Sequence, residues 1–128
     1  MHIDVHDSAV ADLERISKTH PDVVAAVLAT LELLEADPRV LDKLTNRGNN
    51  QVGSARFNVV PWIEARAKKG DLWRMRILDS PATVYRLVYG YYWPNKQLCV
   101  LGVFSKDEFD YDPQSDFGKR LLSDWRSL

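Results

Sequence analysis

Three strand-like segments follow one another in the second half of the chain: LWRMRIL at residues 72–78, TVYRLVYGYYW at residues 83–93 and LCVLGVF at residues 98–104. The first alternates strictly between two kinds of side chain, and the second is rich in Tyr and Val, as β-strands are. The third is almost entirely apolar, which is typical of a central strand. Turn-forming residues separate the segments. The pattern therefore predicts a three-stranded antiparallel meander.

The alternation in the first two segments assigns their side chains to two faces of the sheet, because successive residues of a strand point in opposite directions. A face that carries large apolar residues must be covered by helices, and the other face is left uncovered. The apolar face carries Trp73, Met75, Ile77, Tyr85, Leu87 and Tyr89, whereas the uncovered face carries Arg74, Arg76 and Arg86.

The first 45 residues predict a short strand and two helices. Residues 2–6 alternate apolar and polar, and Asp7 or Ser8 can cap the helix that follows. Pro21 suits the first turn of a second helix, and Asp37-Pro38 ends it. Both helices have apolar residues at helical spacing. These are Val10, Leu13 and Ile16 in the first helix, and Val24, Val27, Leu28, Leu31 and Leu34 in the second.

The remaining segments complete the predicted fold. Residues 46–54 are rich in Gly and Asn and predict a loop. Residues 56–60 predict a short strand, residues 61–69 a short helix with a basic end, and residues 115–125 a C-terminal helix. We therefore predict one α+β domain, residues 1–128. It has a small antiparallel sheet (N-terminal strand plus three-stranded meander), two N-terminal helices on one face and a C-terminal helix.

The charge distribution is uneven although the net charge is only −1. Residues 46–106 contain ten basic and three acidic residues, and both flanking segments have an excess of acids. A basic middle segment can maintain a local positive field on a nearly neutral protein. The arginines on adjacent strands would lie about 5 Å apart and repel one another unless an anion intervenes. A guanidinium group can donate two parallel hydrogen bonds to two oxygens of one phosphate. A phosphate site is therefore the favoured interpretation, and an ordinary solvated face is the alternative.

Other kinds of site have little support in the sequence. Cys99 is the only cysteine, so a disulfide framework is excluded, and it lies in an apolar run. His2 and His6 share a strand face but lack a third ligand, so we expect no metal. The chain also has no apolar stretch of the length that a membrane span needs and no signal peptide at Met1. We therefore expect a cytoplasmic protein without a cofactor.

The segments LWRMRI (residues 72–77), VYRLVY (residues 84–89) and VLGVFSK (residues 100–106) resemble the RelE/ParE toxin superfamily of type II toxin–antitoxin modules. The resemblance covers nearly the whole chain except residues 46–71, which are longer than is typical. It implies a RelE/ParE-like fold and a RelE-like toxin, an mRNA interferase that cuts mRNA in the ribosomal A site without a metal. A ParE-like inhibitor of DNA gyrase and a degenerate, non-catalytic binding module of the same fold are the alternatives.

The resemblance also implies roles for individual residues. Asp107 stands where active RelE members have an arginine. Two consequences of this difference stay open: either a carboxylate serves as the base, or the nuclease activity is weak or lost. Arg86 matches the arginine that contacts the scissile phosphate, Arg74 and Arg76 match paired basic positions, Lys106 matches a catalytic lysine, and Tyr111 matches a tyrosine that assists proton transfer. Lys68 and Lys69 are further candidates for RNA binding.

The partners implied by the resemblance are mRNA on the ribosome, with contacts to ribosomal RNA, and a cognate antitoxin protein. We expect the antitoxin to bring carboxylates to the uncovered face that carries Arg74, Arg76 and Arg86 (the arginine face), because charge-assisted pairs between carboxylates and guanidinium groups are strong. The alternative is that basic antitoxin residues dock on the acidic N-terminal helices, at Asp12 and Glu32.

Overall fold

A computed structural model describes residues 1–66 and 71–128, which form a mixed sheet of six strands and five α-helices. None of these helices combines the length and the apolar character needed to cross a bilayer. The strands are β1 (Ile3–Val5), β2 (Gly48–Val52), β3 (Ala55–Pro61), β4 (Leu72–Ile77), β5 (Tyr85–Tyr92) and β6 (Gln97–Ser105). The helices are α1 (Asp7–Ser17), α2 (Pro21–Ala36), α3 (Val40–Leu44), α4 (Ile63–Arg66) and α5 (Asp116–Arg126).

The sheet has the strand order β1-β6-β5-β4-β3-β2. The predicted meander is confirmed, since β4, β5 and β6 pair antiparallel in sequence order. Its second strand begins at Tyr85 rather than Thr83, because Pro81–Val84 form a 3₁₀ turn. The prediction of a fully antiparallel sheet is wrong, because β1 runs parallel to β6. Local alternation does not encode the direction of a strand that joins a partner more than 90 residues away.

The prediction of a loop at residues 46–54 is also wrong. β2 forms a hairpin with β3, turning at Gly53, whose φ of +58° lies in the left-handed region that glycine tolerates. β2 is an edge strand held by backbone pairing, and its polar residues Asn49 and Gln51 are exposed. Such a strand buries few side chains, so its composition resembles that of a loop. The strand predicted at residues 56–60 is confirmed as part of β3.

A first core lies between the sheet and the N-terminal helices, on the predicted face. Met75, Ile77, Leu87 and Tyr89 are buried there, and Tyr85 is 9% exposed. The predicted helical stripes are partly wrong. The side chains of Val10 and Leu28 are exposed, and the buried positions nearby belong to Ala9 and Val23 in α1 and α2. The predicted cap is also displaced by a residue, since His6 Nδ1 accepts the hydrogen bond from the Ser8 backbone N–H.

A second core covers part of the face that we expected to be uncovered. The helix α5 and the segment before it pack on β5 and β6, where Val88, Leu101, Phe104 and Leu121 are buried. Phe104 and Phe109 meet edge to face at 5.0 Å between ring centroids. The apolar character of both faces of β6 is explained by its position between the two cores. The face that carries the arginines is therefore covered over β6 and part of β5, and it is open over β3, β4 and the start of β5, where Arg86 lies.

Asp12 of α1 is buried, which excludes it from a docking surface. Its carboxylate accepts two hydrogen bonds from the Arg120 guanidinium, at 2.9 and 2.7 Å, and one from the Val103 backbone N–H at 3.0 Å. These bonds connect α1, β6 and α5. The predicted use of Asp12 as an exposed antitoxin contact is therefore wrong, whereas Glu32 is exposed on α2.

Candidate anion-binding site

A pocket of about 550 Å³ opens on the arginine face, beside the second core. The strands β3, β4 and β5 supply its floor, and α4 and the segment around Tyr111 supply its wall. Arg74, Arg76, Arg86 and Tyr111, which were selected from the sequence, all line it. Arg47, which precedes β2, lines it as well and was not selected. The signal that would have found Arg47 is its place in the basic middle segment.

Strand pairing brings the three predicted arginines together. Arg74 lies opposite Val60 of β3 and Val88 of β5 in the register, and Arg76 lies opposite Asn58. Arg86 belongs to β5, the strand next to β4, and lies on the same face as the other two arginines. Because neighbouring strands are about 5 Å apart, three guanidinium groups share one small region of the surface.

The arginines of the pocket lack carboxylate partners within residues 1–66 and 71–128. The ion pairs of that part of the chain do not involve Arg47, Arg74, Arg76 or Arg86. Arginines elsewhere do have such partners: Arg15 lies 3.1 Å from Glu108. These guanidinium groups therefore make no direct ion pair within the described protein, which favours the binding of an external anion.

Neutral acceptors hold two of the guanidinium groups in place. Arg74 Nη2 donates to Asn58 Oδ1 at 3.2 Å, and Asn58 Nδ2 in turn donates to Asn49 Oδ1 at 2.8 Å. Arg86 Nη1 donates to the backbone carbonyls of Thr83 and Tyr85, both at 3.0 Å. Carbonyl acceptors orient a guanidinium without cancelling its charge, so the pocket is preorganised for a negative ligand.

The electrostatic environment of these arginines is unfavourable without a ligand. Burial lowers the pKa of Arg74, and the neighbouring charges of Arg86 and Arg76 lower it further. Burial also lowers the pKa of Arg86, with a smaller contribution from Arg76. Both groups stay protonated at neutral pH, since the ordinary pKa of arginine lies far above neutral. A bound phosphate would offset the repulsion between them.

Tyr111 places an unpaired hydroxyl in the same pocket. Its oxygen is buried and has no hydrogen-bond partner among the described residues. The Arg86 guanidinium is near enough to lower the pKa of Tyr111, although the two groups do not align as a hydrogen bond. Burial nevertheless raises the pKa of Tyr111 above its ordinary value, and Arg74 and Arg86 oppose that shift. The hydroxyl is therefore protonated at neutral pH and can donate a proton.

Two carboxylates, those of Glu64 in α4 and Asp110, also line the pocket. Neither residue was predicted from the sequence as a site residue, although Glu64 is one of only three acids in residues 46–106. Carboxylates are among the side chains that serve as general bases and accept a proton. Within the described residues no group of His, Cys, Asp and Glu side chains could hold a metal ion.

The other predicted site residues lie elsewhere or outside the described residues. Lys106 follows β6, is exposed and is not among the residues that line the pocket. Lys68 and Lys69 lie outside the described residues. Glu108, one of the acids near Asp107, is turned away from the pocket: it accepts from the Ser105 backbone N–H at 2.9 Å and pairs with Arg15.

Comparison of the chain with family models, with curated proteins and with solved structures finds no match. The pocket itself combines three kinds of group: cations without carboxylate partners, a protonated hydroxyl and two carboxylates. Cations stabilise the charge that develops on a phosphate during its reaction, and the hydroxyl and carboxylates can give and take protons. These are the groups needed for metal-independent cleavage of a phosphodiester.

Proposed function

We propose that this protein is a RelE-like toxin, a metal-independent endoribonuclease that cuts mRNA on the ribosome. The observation that carries the proposal is the convergence of Arg74, Arg76 and Arg86, without carboxylate partners in the described chain, beside the protonated hydroxyl of Tyr111. The resemblance of residues 72–106 to the RelE/ParE toxin superfamily supports it. Its site of action would then be the cytoplasm, where ribosomes are.

The reaction needs no water and no metal. A base removes the proton of a ribose 2′-hydroxyl, and the 2′-oxygen attacks the adjacent phosphorus. The new P–O2′ bond forms while the P–O5′ bond breaks, and an acid protonates the leaving 5′-oxygen. The products are a 2′,3′-cyclic phosphate and a free 5′-hydroxyl. Cations around the phosphate stabilise the additional negative charge of the transition state.

The pocket supplies a candidate for each role. Arg86, with Arg74 and Arg76, binds the scissile phosphate. Tyr111 donates a proton to the leaving oxygen, because its raised pKa keeps it protonated. Glu64 or Asp110 accepts the 2′-hydroxyl proton. Positioned acids and bases contribute about 10²–10⁴-fold each, and the arginines contribute through electrostatic stabilisation.

The proposal is tested by adding the purified protein to translating ribosomes and mapping new mRNA 5′ ends. We expect cleavage that leaves 5′-hydroxyl ends, that is abolished by Arg86→Ala and that is unchanged by Arg56→Ala. Arg56 is the matched control, since it lies on the same face of the sheet but outside the pocket and pairs with Asp79. Wild-type protein that cuts no mRNA would contradict the proposal, and gyrase inhibition in the same samples would favour the ParE-like alternative.

A cognate antitoxin is part of the same proposal. An acidic segment that covers Arg74 and Arg76 would neutralise the site and associate faster at low salt. The double variant Arg74→Glu/Arg76→Glu should then weaken the complex, whereas Glu32→Lys on exposed α2 should not. If only Glu32→Lys weakens binding, the antitoxin docks on the helical side instead.

A further inference from the structure

We propose that Arg47, with the apolar strip formed by Val60 and Ile63, binds the nucleotide next to the scissile phosphate. The substrate of the pocket is then single-stranded RNA with at least two consecutive phosphates, and not a single phosphate group. This inference rests on the proposed function and deepens it. It assigns a role to the β2–β3 hairpin, which the sequence analysis took in part for a loop.

The backbone that carries Arg47 is firmly anchored although the side chain is exposed. The Tyr89 hydroxyl donates to the Leu44 carbonyl at 2.7 Å, which ties the end of α3 to the sheet. Thr45 Oγ1 donates to the Leu41 carbonyl at 2.6 Å. Gly48 follows with a φ of +137°, a conformation that turns the chain into β2 and that other residues rarely adopt. Arg47 is therefore presented to the pocket from a fixed point.

Arg47 lies on the far side of the pocket from the other arginines. Gly48 pairs with Val59 of β3, and Val60 pairs with Arg74 of β4, so one strand separates the backbones of Arg47 and Arg74. At about 5 Å between neighbouring strands, these backbones are roughly 10 Å apart. Both side chains line the same pocket from opposite sides of β3, so the pocket can hold two anionic groups at once.

The position on β3 that lies between Arg47 and Arg74 belongs to an apolar residue, Val60. Val60 and Ile63 both line the pocket, and Ile63 is 55% exposed although it is a large hydrophobic residue. A ribose or a base lying there would cover this apolar surface, which is favourable in water. Phosphate, apolar group and phosphate is the order of groups along a nucleic acid strand. The pocket volume of about 550 Å³ also exceeds what one phosphate would fill.

Asn58 holds Arg74 in place in this arrangement. Its Oδ1 accepts from Arg74 and its Nδ2 donates to Asn49. Both polar atoms of the amide already have partners. Asn58 is therefore a positioning residue that connects the hairpin to Arg74.

The test measures binding of two probes in which 2′-fluorine replaces the attacking hydroxyl, so that neither can be cleaved. One probe is a two-residue RNA with one phosphodiester, and the other is a five-residue RNA with four. We expect the wild-type protein to bind the longer probe at least tenfold more tightly. Arg47→Ala should weaken binding of the longer probe about tenfold, leave the shorter one within twofold and reduce the salt slope by about 0.7.

Arg56→Ala, on the same hairpin face, is the matched control and should bind both probes like the wild type. Ile63→Ser, which removes the apolar strip without changing charge, should weaken the longer probe as well. If Arg47→Ala binds the longer probe within twofold of wild type, the second phosphate site is overturned while the proposed cleavage activity stands. If the wild type binds neither probe, the second phosphate site is overturned, whereas the proposed cleavage activity is decided separately by the assay with translating ribosomes.

Discussion

Tyr111 combines features that are each unfavourable for folding. Its φ of +66° lies in the left-handed region that few side chains adopt, and its hydroxyl is buried without a hydrogen-bond partner among the described residues. Its carbonyl accepts from Trp62 Nε1 at 2.9 Å, which helps to hold this conformation. Each feature costs about 1–3 kcal/mol. Strain of this kind supports a functional role, and the strained conformation of Tyr111 places a proton donor beside the arginines.

The variant Tyr111→Phe separates catalysis from stability. We expect cleavage to fall about 10²-fold or more. The free energy of unfolding should stay the same or rise by up to about 1 kcal/mol, because the lost hydroxyl makes no hydrogen bond. At alkaline pH the wild-type rate should fall as pH rises through the raised pKa of Tyr111, where the acid is lost. Cleavage assays with ribosomes over a range of pH measure the first effect, and urea unfolding measures the second. An unchanged cleavage rate in Tyr111→Phe would remove Tyr111 from the mechanism.

The sequence predicted part of the site for a clear physical reason. Alternation in a strand determines which residues share a face, so Arg74, Arg76 and Arg86 were predicted to lie together, and the structure brings them together. Glu64 and Arg47 could not be found in this way. They reach the pocket from a short helix and a turn, whose positions depend on tertiary packing and not on a repeating pattern.

Among the elements, α1 depends on a buried ion pair that the sequence did not indicate. Asp12 lies one turn before Ile16 on the buried face of α1, where a charged residue is not expected, and its partner Arg120 is 108 residues away. The Asp12 carboxylate also accepts a hydrogen bond from the Val103 backbone N–H of β6. A buried charge needs such partners, so α1, β6 and α5 constrain one another.

The variant Asp12→Asn should destabilise the protein by about 3 kcal/mol, because it leaves Arg120 without its buried carboxylate partner. Glu32→Gln removes the same charge from an exposed position on α2 and should change stability by less than about 0.5 kcal/mol. Urea unfolding of both variants gives the comparison. Equal effects of the two substitutions would show that the Asp12–Arg120 pair does not connect the elements as described.

Two neighbouring residues at the start of β5 test which face of the sheet is buried in the first core. Tyr85→Ala should cost about 3–5 kcal/mol, since Tyr85 packs in the first core at 9% exposure. Val84→Ala, one position earlier and 45% exposed, should cost less than about 1 kcal/mol. Thermal or urea unfolding distinguishes them. A small effect at Tyr85 would argue against the whole assignment of faces, and with it against the arginine cluster.

At the scale of the whole molecule, two cores share one sheet. Successive residues of β6 belong to different cores: Val100 and Val103 to the first, Cys99, Leu101 and Phe104 to the second. The nearly continuous apolar sequence of this strand indicated burial on both faces, but which element covers the second face is a matter of tertiary packing. The order and direction of the outer strands depend on packing in the same way.

Because both cores use β5 and β6, we expect them to unfold together. Leu121→Ala in the second core and Leu34→Ala in the first, both fully buried, should each cost about 2–5 kcal/mol. Urea unfolding followed by far-ultraviolet circular dichroism should report these losses of stability, and so should the rate at which a thiol reagent labels Cys99. Burial, followed by the charge of Asp4, raises the pKa of the Cys99 thiol to about 11, so the folded protein resists labelling.

The logarithm of the Cys99 labelling rate should therefore rise in both variants in proportion to the lost stability, because the thiol is reached only when the shared sheet opens. The circular dichroism and labelling transitions should coincide along a urea series. If Leu121→Ala accelerates labelling while the circular dichroism midpoint stays at the wild-type value, α5 detaches by itself. The wall of the pocket around Tyr111, which packs on Phe104 in the second core, would then open independently of the arginines on β4 and β5.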